Sequence, residues 1–162
     1  MIEQLSLQTV LTYLTLISVP IGVLYHIMTL RNQSRTRQAQ LFVQVYSQWT
    51  GGKYRQWNEI SSWEWDDYDD FIQKHWDLES RNKHSSVSGF LEGLGVLVKE
   101  GLVPIRLVAL YITGLTRTYW EKFGPVIEEM RVRTNSPRGL SETEYLYRTL
   151  MKYVEQHPEL KT

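Results

Sequence analysis

The hydrophobic pattern divides the chain into two regimes. From Leu5 to Leu30 no side chain is charged, a run of 26 residues, whereas every Lys, Arg, Asp and Glu lies outside it. A membrane-spanning helix needs about 20 mainly apolar residues at ~1.5 Å rise each. The run therefore predicts a transmembrane helix over residues 5–30, with length to spare for tilt. A cleaved signal peptide has a basic leading region, a shorter apolar core and a small-residue cleavage site. Here only Glu3 precedes the run, and bulky pairs such as Leu24-Tyr25 and Ile27-Met28 occupy its second half, so an uncleaved anchor is expected. Pro20 should kink it, because proline lacks the amide that the helix ladder uses.

Beyond Leu30 the apolar positions recur at helical spacing. Leu41, Phe42, Val45, Tyr46 and Trp49 share one face of an amphipathic segment that Gly51-Gly52 ends. Tyr54, Trp57 and Ile60 mark a second, short helix. Acidic residues open a helix over Asp66–Glu79, whose apolar side holds Phe71, Ile72 and Trp76, and residues 80–88 read as a polar connector. Val87, Phe90, Leu91, Leu94 and Val98 then form the densest helical face, with Gly101 as terminator and Pro104 starting the next element. That element runs to about Tyr111. Another carries Tyr119, Trp120, Phe123, Ile127 and Met130, and Gly124-Pro125 should bend or restart it. After an Asn135–Gly139 loop, Ser141 and Glu144 form a capping box ahead of a last helix striped by Leu146, Leu150, Tyr153 and Val154. A second span over Val87–Leu115 is not expected, because Glu92, Lys99, Glu100 and Arg106 lie within it and a central charge is costly in lipid.

The expected fold is all-α: an N-terminal transmembrane helix followed by a cytoplasmic helical bundle of about five to six helices. The layout is a short extracytoplasmic terminus at 1–4, the span at 5–30, a juxtamembrane amphipathic helix at 31–52 and the helical domain at 53–162. Glu92 is expected at the edge of the core, paired with a basic side chain. A bulky residue at Gly93 should cost more than Glu92→Gln, because overpacked helix contacts typically cost about 1 to 3 kcal/mol.

Charge sets the orientation. Arg31, Arg35 and Arg37 crowd the C-terminal flank of the span, and no Lys or Arg precedes it. The positive-inside tendency then places the domain in the cytoplasm and the N-terminus outside a cell membrane crossed once. Candidate interface residues are Arg31, Arg35, Arg37 and Trp49, and the lipid bilayer is the first expected partner. Residues 31–162 hold 18 basic and 17 acidic side chains, a net charge of +1, which offers nucleic acid no strong field. The absence of cysteine excludes disulfides, thiolate metal sites and a cysteine nucleophile. Small residues mark candidate helix-packing positions: Ser18 and Gly22 in the span, Gly89 and Gly93 in the domain. His26, with no acid near it in the span, reads as a snorkelling polar residue.

Catalytic chemistry is not evident. Glu64, Asp66, Asp67, Asp69 and Asp70 cluster, but the turn glycine and closing Glu of a calcium loop do not follow Asp66, so the cluster reads as the acidic start of a helix. There is no P-loop, no HExxH and no GxSxG, and Gly93-Leu94-Gly95 lacks the third glycine of a dinucleotide fingerprint. His75 beside Asp77 and Glu79 reads as a surface histidine. No catalytic, cofactor or metal residue is assigned, and no cofactor is expected. Trp49, Trp57, Trp63, Trp65 and Trp76 suit either anchoring at the headgroup region or a core or partner-facing surface; only Trp49 is near enough to the span for the first, so the core is expected for most of them.

The order of Leu30-Arg31-Asn32-Gln33 at the end of the span, Gln38-Ala39-Gln40-Leu41-Phe42, the Phe90–Val98 helix with Gly101-Leu102-Val103, and Tyr119-Trp120 resembles an uncharacterised family of single-span prokaryotic membrane proteins. The resemblance implies an anchored helical domain of unknown function, without catalytic residues. The function expected is a non-catalytic interaction module, a scaffold or accessory subunit, that meets a protein partner or a second copy. The alternative is an enzyme or sensor whose site gathers dispersed acids such as Glu92, Glu100 and Glu121.

Overall fold

The computed structural model describes residues 7–160, so the expected 1–4 terminus and the first two residues of the span lie outside the described residues. Among the described residues the chain is all-α: α1 (Leu7–Gln48), α2 (Tyr54–Ser61), α3 (Tyr68–His75), α4 (Leu78–Lys99), α5 (Ile105–Arg133) and α6 (Ser141–Gln156), with a wide π-type turn at Trp49–Lys53 and a 3-10 turn at Pro158–Leu160. It divides into two compact units that meet between Gln40 and Leu41.

The first unit is the N-terminal part of α1, which stays helical through Pro20 and past Arg31. It is long and apolar enough to cross a membrane, and its apolar side chains, Leu11 to Leu30, lie exposed along it.

The second unit has its own core. Ile60 of α2, Phe71 of α3, Val87, Leu91 and Leu94 of α4, Val108, Tyr119, Phe123 and Ile127 of α5, and Leu146 and Leu150 of α6 are all essentially inaccessible. α4 and α5 each pack along α6, and α2 packs on α4. Two glycines make the reversals: Gly52 at φ +140° in the wide turn and Gly101 at φ +67° after α4, conformations an L side chain resists. At the second, Leu102 and Val103 both donate their amides to the carbonyl of Leu97, closing the helix end.

Four expectations need correction. Residues 80–88 are no connector; they are the first turns of α4, because Asp77 accepts amide bonds from Glu79 and Ser80 and caps the helix there. The acidic helix expected over Asp66–Glu79 is two elements. Asp67 caps α3 through the Asp70 amide, and the chain breaks at Trp76 so that Asp77 can cap again. The two helices expected between Pro104 and Met130 are one, α5, with a local break at Ile112 (φ −130°) and Pro125 carried inside it. The capping box at Ser141 and Glu144 does not form: Leu140, at φ +54°, occupies the cap position and contributes no side-chain bond.

Candidate functional site

The most unusual chemistry in the second unit is buried. His84 of α4 and Tyr119 of α5 meet at 3.1 Å between Nε2 and the phenol oxygen, one group donating and the other accepting. Around His84 stand the rings of Phe123 (4.9 Å between centroids), Phe71 (6.0 Å) and Trp76 (6.5 Å). Burial alone pushes the imidazole down to about 4, so it is neutral at physiological pH. Burial likewise drives the Tyr119 phenol far up. A neutral imidazole and a neutral phenol, sealed by aromatic rings, join α4 to α5. Sequence reasoning missed His84 by placing it in a connector. The signal was present, since residues 84, 87, 91, 94 and 98 step by three and four along one helical face.

A second polar cluster joins α4 to α6. Gly95 lies against the first turn of α6: a Cβ there would stand 2.1 Å from the carbonyl oxygen of Glu142, a distance no side chain tolerates. One turn earlier, Glu92 reaches the same helix start, and its Oε2 accepts from the Thr143 amide (2.7 Å) and the Thr143 hydroxyl (2.8 Å). Glu92 was expected to face a basic side chain; instead it supplies the cap that Ser141 does not, satisfying an orphan amide where the helix dipole is positive. Lys99 donates to both oxygens of Glu142 at 2.9 Å and holds that carboxyl below its ordinary range. Glu144, freed of any capping role, bonds Arg131 (2.7 Å), which also donates to the Gly139 carbonyl (2.7 Å) and ties the 134–139 loop to α6.

Two of the concavities on the second unit bear on the expected positions. One, of about 290 Å³, is an apolar groove lined by Leu41, Val45, Phe90, Leu94 and the open faces of Gly89 and Gly93. A Cβ on either glycine would meet nothing within 4 Å, so the tight crossing falls at Gly95, not at Gly93. The other, about 530 Å³, is an open basin between Trp63, Trp65, Glu64, Asp66, Lys74 and Lys122. Lys122 donates to the carbonyls of Ser61 (2.9 Å) and Trp63 (2.6 Å) and lies over the Trp65 ring. His75 stacks flat on Trp63 at 4.4 Å.

The carboxylates do not converge. Asp67 caps α3, Asp70 pairs with Lys74 and Asp69 with Arg133. Among the described residues no three His, Asp or Glu stand close enough to share a metal ion. Glu100 and Glu121 are exposed, and neither joins Glu92 at Thr143. Of the expected interface residues, Arg31, Arg35 and Arg37 are exposed in the first unit. Trp49 is only 8% exposed and stacks on Phe90 at 5.6 Å. Ser18 and Gly22 are exposed, and the space around Gly22 is open.

No curated protein and no solved structure matches the chain. One family model does, across residues 16–150, from within the apolar run to α6, and the chain belongs to that family, a domain of unknown function, DUF4760.

Proposed function

We propose that the chain is a non-catalytic helical interaction module, a scaffold or accessory subunit, held at the cytoplasmic face of the cell membrane by a single pass with its N-terminus outside. One observation carries the reading: the apolar side chains from Leu11 to Leu30 are exposed along a helix of membrane-spanning length, while the residues after Gln40 bury a complete core of their own. An exposed apolar surface of that extent is stable in lipid and a liability in water. The matched family region includes Leu16 to Leu30, so the apolar helix is part of the shared domain. Arg31, Arg35 and Arg37, with no basic residue before them, support the inward orientation of the second unit. The acidic-site alternative has no observation in its favour, since Glu92 is engaged at Thr143.

The chain has no native cysteine, so Glu155→Cys, on the exposed side of α6, gives a single label site. The protein should remain in a carbonate-washed membrane pellet and react with an impermeant maleimide only after the cells are opened. Labelling of intact cells would refute the orientation, and release by carbonate would refute the anchor. For the interaction role, purification from solubilised membranes should yield a second protein or a second copy in fixed ratio; a chain that purifies as a bare monomer under mild conditions would refute it.

A further inference from the structure

Most cations of the second unit face water, but among the described residues four Lys or Arg side chains there are half-buried: Lys53, Lys83, Lys122 and Arg131. A charge withdrawn from water is costly unless an opposite charge stands by. Lys83 meets Glu59 and Glu79, and Arg131 meets Glu144. Lys122 lies over the Trp65 ring, in the basin that Glu64 and Asp66 also line. Lys53 has no such company. Its Nζ donates to the Ser86 carbonyl and to the Ser86 hydroxyl, both at 3.1 Å, and these neutral oxygens leave its third proton and its charge unmatched.

Lys53 also lines a concavity of about 370 Å³ where the wide turn, α2 and α4 meet. Among the described residues no carboxylate and no other cation lines it; its remaining polar side chains are the amides of Gln48 and Gln56 and the hydroxyls of Ser47 and Ser86. The Oε1 of Gln56 is out of reach of solvent and accepts from nothing in the chain. A buried acceptor left in that state costs free energy until a donor meets it. Lys53 and Gln56 stand three residues apart on helical backbone, so the unmatched cation and the unmatched acceptor share one face. Gly51 and Gly52 bare the main chain beside them, since a Cβ on either would meet nothing within 4 Å.

We propose that this concavity binds a phosphate that carries hydroxyls, of the glycerol phosphate kind, with the phosphate on Lys53 and a hydroxyl donating to Gln56 Oε1. An anion answers the lysine and a hydroxyl answers the amide; a ligand with one of these alone leaves the other group unmet. Lysine holds phosphate as a point charge, whereas the planar fork suited to a carboxylate belongs to arginine, which the wall lacks. The same chemistry occurs in the headgroup of phosphatidylglycerol and in a free polyol phosphate. The site lies wholly within the second unit, so it stands or falls apart from the membrane anchor.

The test is calorimetric titration of the full chain, held in phosphatidylcholine nanodiscs, with glycerol phosphate and with methyl phosphate. The native chain should bind glycerol phosphate saturably and several-fold more tightly than methyl phosphate. Lys53→Met should weaken that binding about tenfold or more, as the loss of a charge-assisted hydrogen bond does. Gln56→Leu should abolish the preference between the two probes. Arg55→Gln, which removes an exposed cation outside the wall, should bind as the native chain does. Gly51→Glu guards against a folding defect: its side chain has open space and brings a carboxylate to Lys53, so this variant should melt no lower than the native chain and bind neither probe. Nanodiscs containing phosphatidylglycerol separate the two sources. Loss of the glycerol phosphate heat there assigns the site to the lipid headgroup, and its persistence assigns the site to a free polyol phosphate. No saturable heat in phosphatidylcholine, equal affinity for the two probes, or undiminished binding by Lys53→Met or Gly51→Glu would overturn the proposal.

Discussion

Acidification from pH 7 to pH 5 should destabilise the second unit through one residue, His84. Its imidazole ordinarily titrates at 6.5 and is held at about 4 by burial among Phe71, Trp76, Tyr119 and Phe123. The folded pKa lies below the unfolded one, so the unfolded chain takes up a proton first. Stability is complete above pH 6.5, falls as pH drops towards 4, and changes no further from this group below that. At 1.36 kcal/mol for each pH unit of separation, the whole effect is about 3 kcal/mol, of which about 2 kcal/mol falls between pH 7 and pH 5. Carboxylates with lowered values, Glu142 and Glu144 among them, act in a separate window below their ordinary 4.5. The assay is urea unfolding of the detergent-solubilised chain at fixed pH values, followed by tryptophan fluorescence. All six tryptophans lie from Trp49 onward, so the signal reports the second unit alone. His84→Gln keeps an acceptor for the Tyr119 hydroxyl and cannot titrate; it should be less stable at pH 7 and flat from 7 to 5. A midpoint unchanged between pH 7 and 5 in the native chain, or a slope that survives in His84→Gln, would refute the burial argument.

Gly95→Ala should cost about 1 to 3 kcal/mol, because its Cβ meets the Glu142 backbone, whereas Gly93→Ala should be neutral or gain up to about 1 kcal/mol from helix propensity; the same denaturation curves decide between them. Glu92→Ala should lose about 1 to 3 kcal/mol by orphaning the Thr143 amide, with Ser141→Ala costing less than half as much since Ser141 caps nothing; equal losses would contradict the cross-helix cap. A fragment starting at Arg37 should give a helical far-ultraviolet spectrum and a cooperative melt without the apolar run, because among the described residues every buried apolar side chain lies at Val45 or later. A disordered spectrum would refute the independence of the second unit.

The elements that sequence makes plain are those whose burial follows a simple period. Val87, Phe90, Leu91, Leu94 and Val98 are all buried as their spacing requires, and the Gly101 stop sits at a positive φ. The start of α4 was obscured because two of its inward positions, His84 and Ser88, carry polar side chains that a hydrophobic pattern counts as solvent-facing. The start of α6 was misread for another reason. Ser141 and Glu144 have the right local spacing, but Arg131 takes the glutamate and Glu92, remote in sequence, does the capping. Glycines mislead similarly: Gly89, Gly93 and Gly95 look alike in the chain, and only the path of α6 decides that Gly95 is the crossing. Nothing in the residue order marks the His84–Tyr119 pair, which exists only once α4 and α5 lie side by side.

The bond between Glu92 and Thr143 joins points 51 residues apart. Without it α6 has no side-chain cap, and its first residue follows a left-handed Leu140. The local start of this last helix is thus weak, and its first turn depends on a side chain of α4. The native protein should then visit a partly open form in which α6 detaches as a block and uncovers the Gly95 face of α4. In amide hydrogen exchange the α6 amides would share one opening free energy, lower than that of the α4 and α5 amides around Leu91 and Phe123.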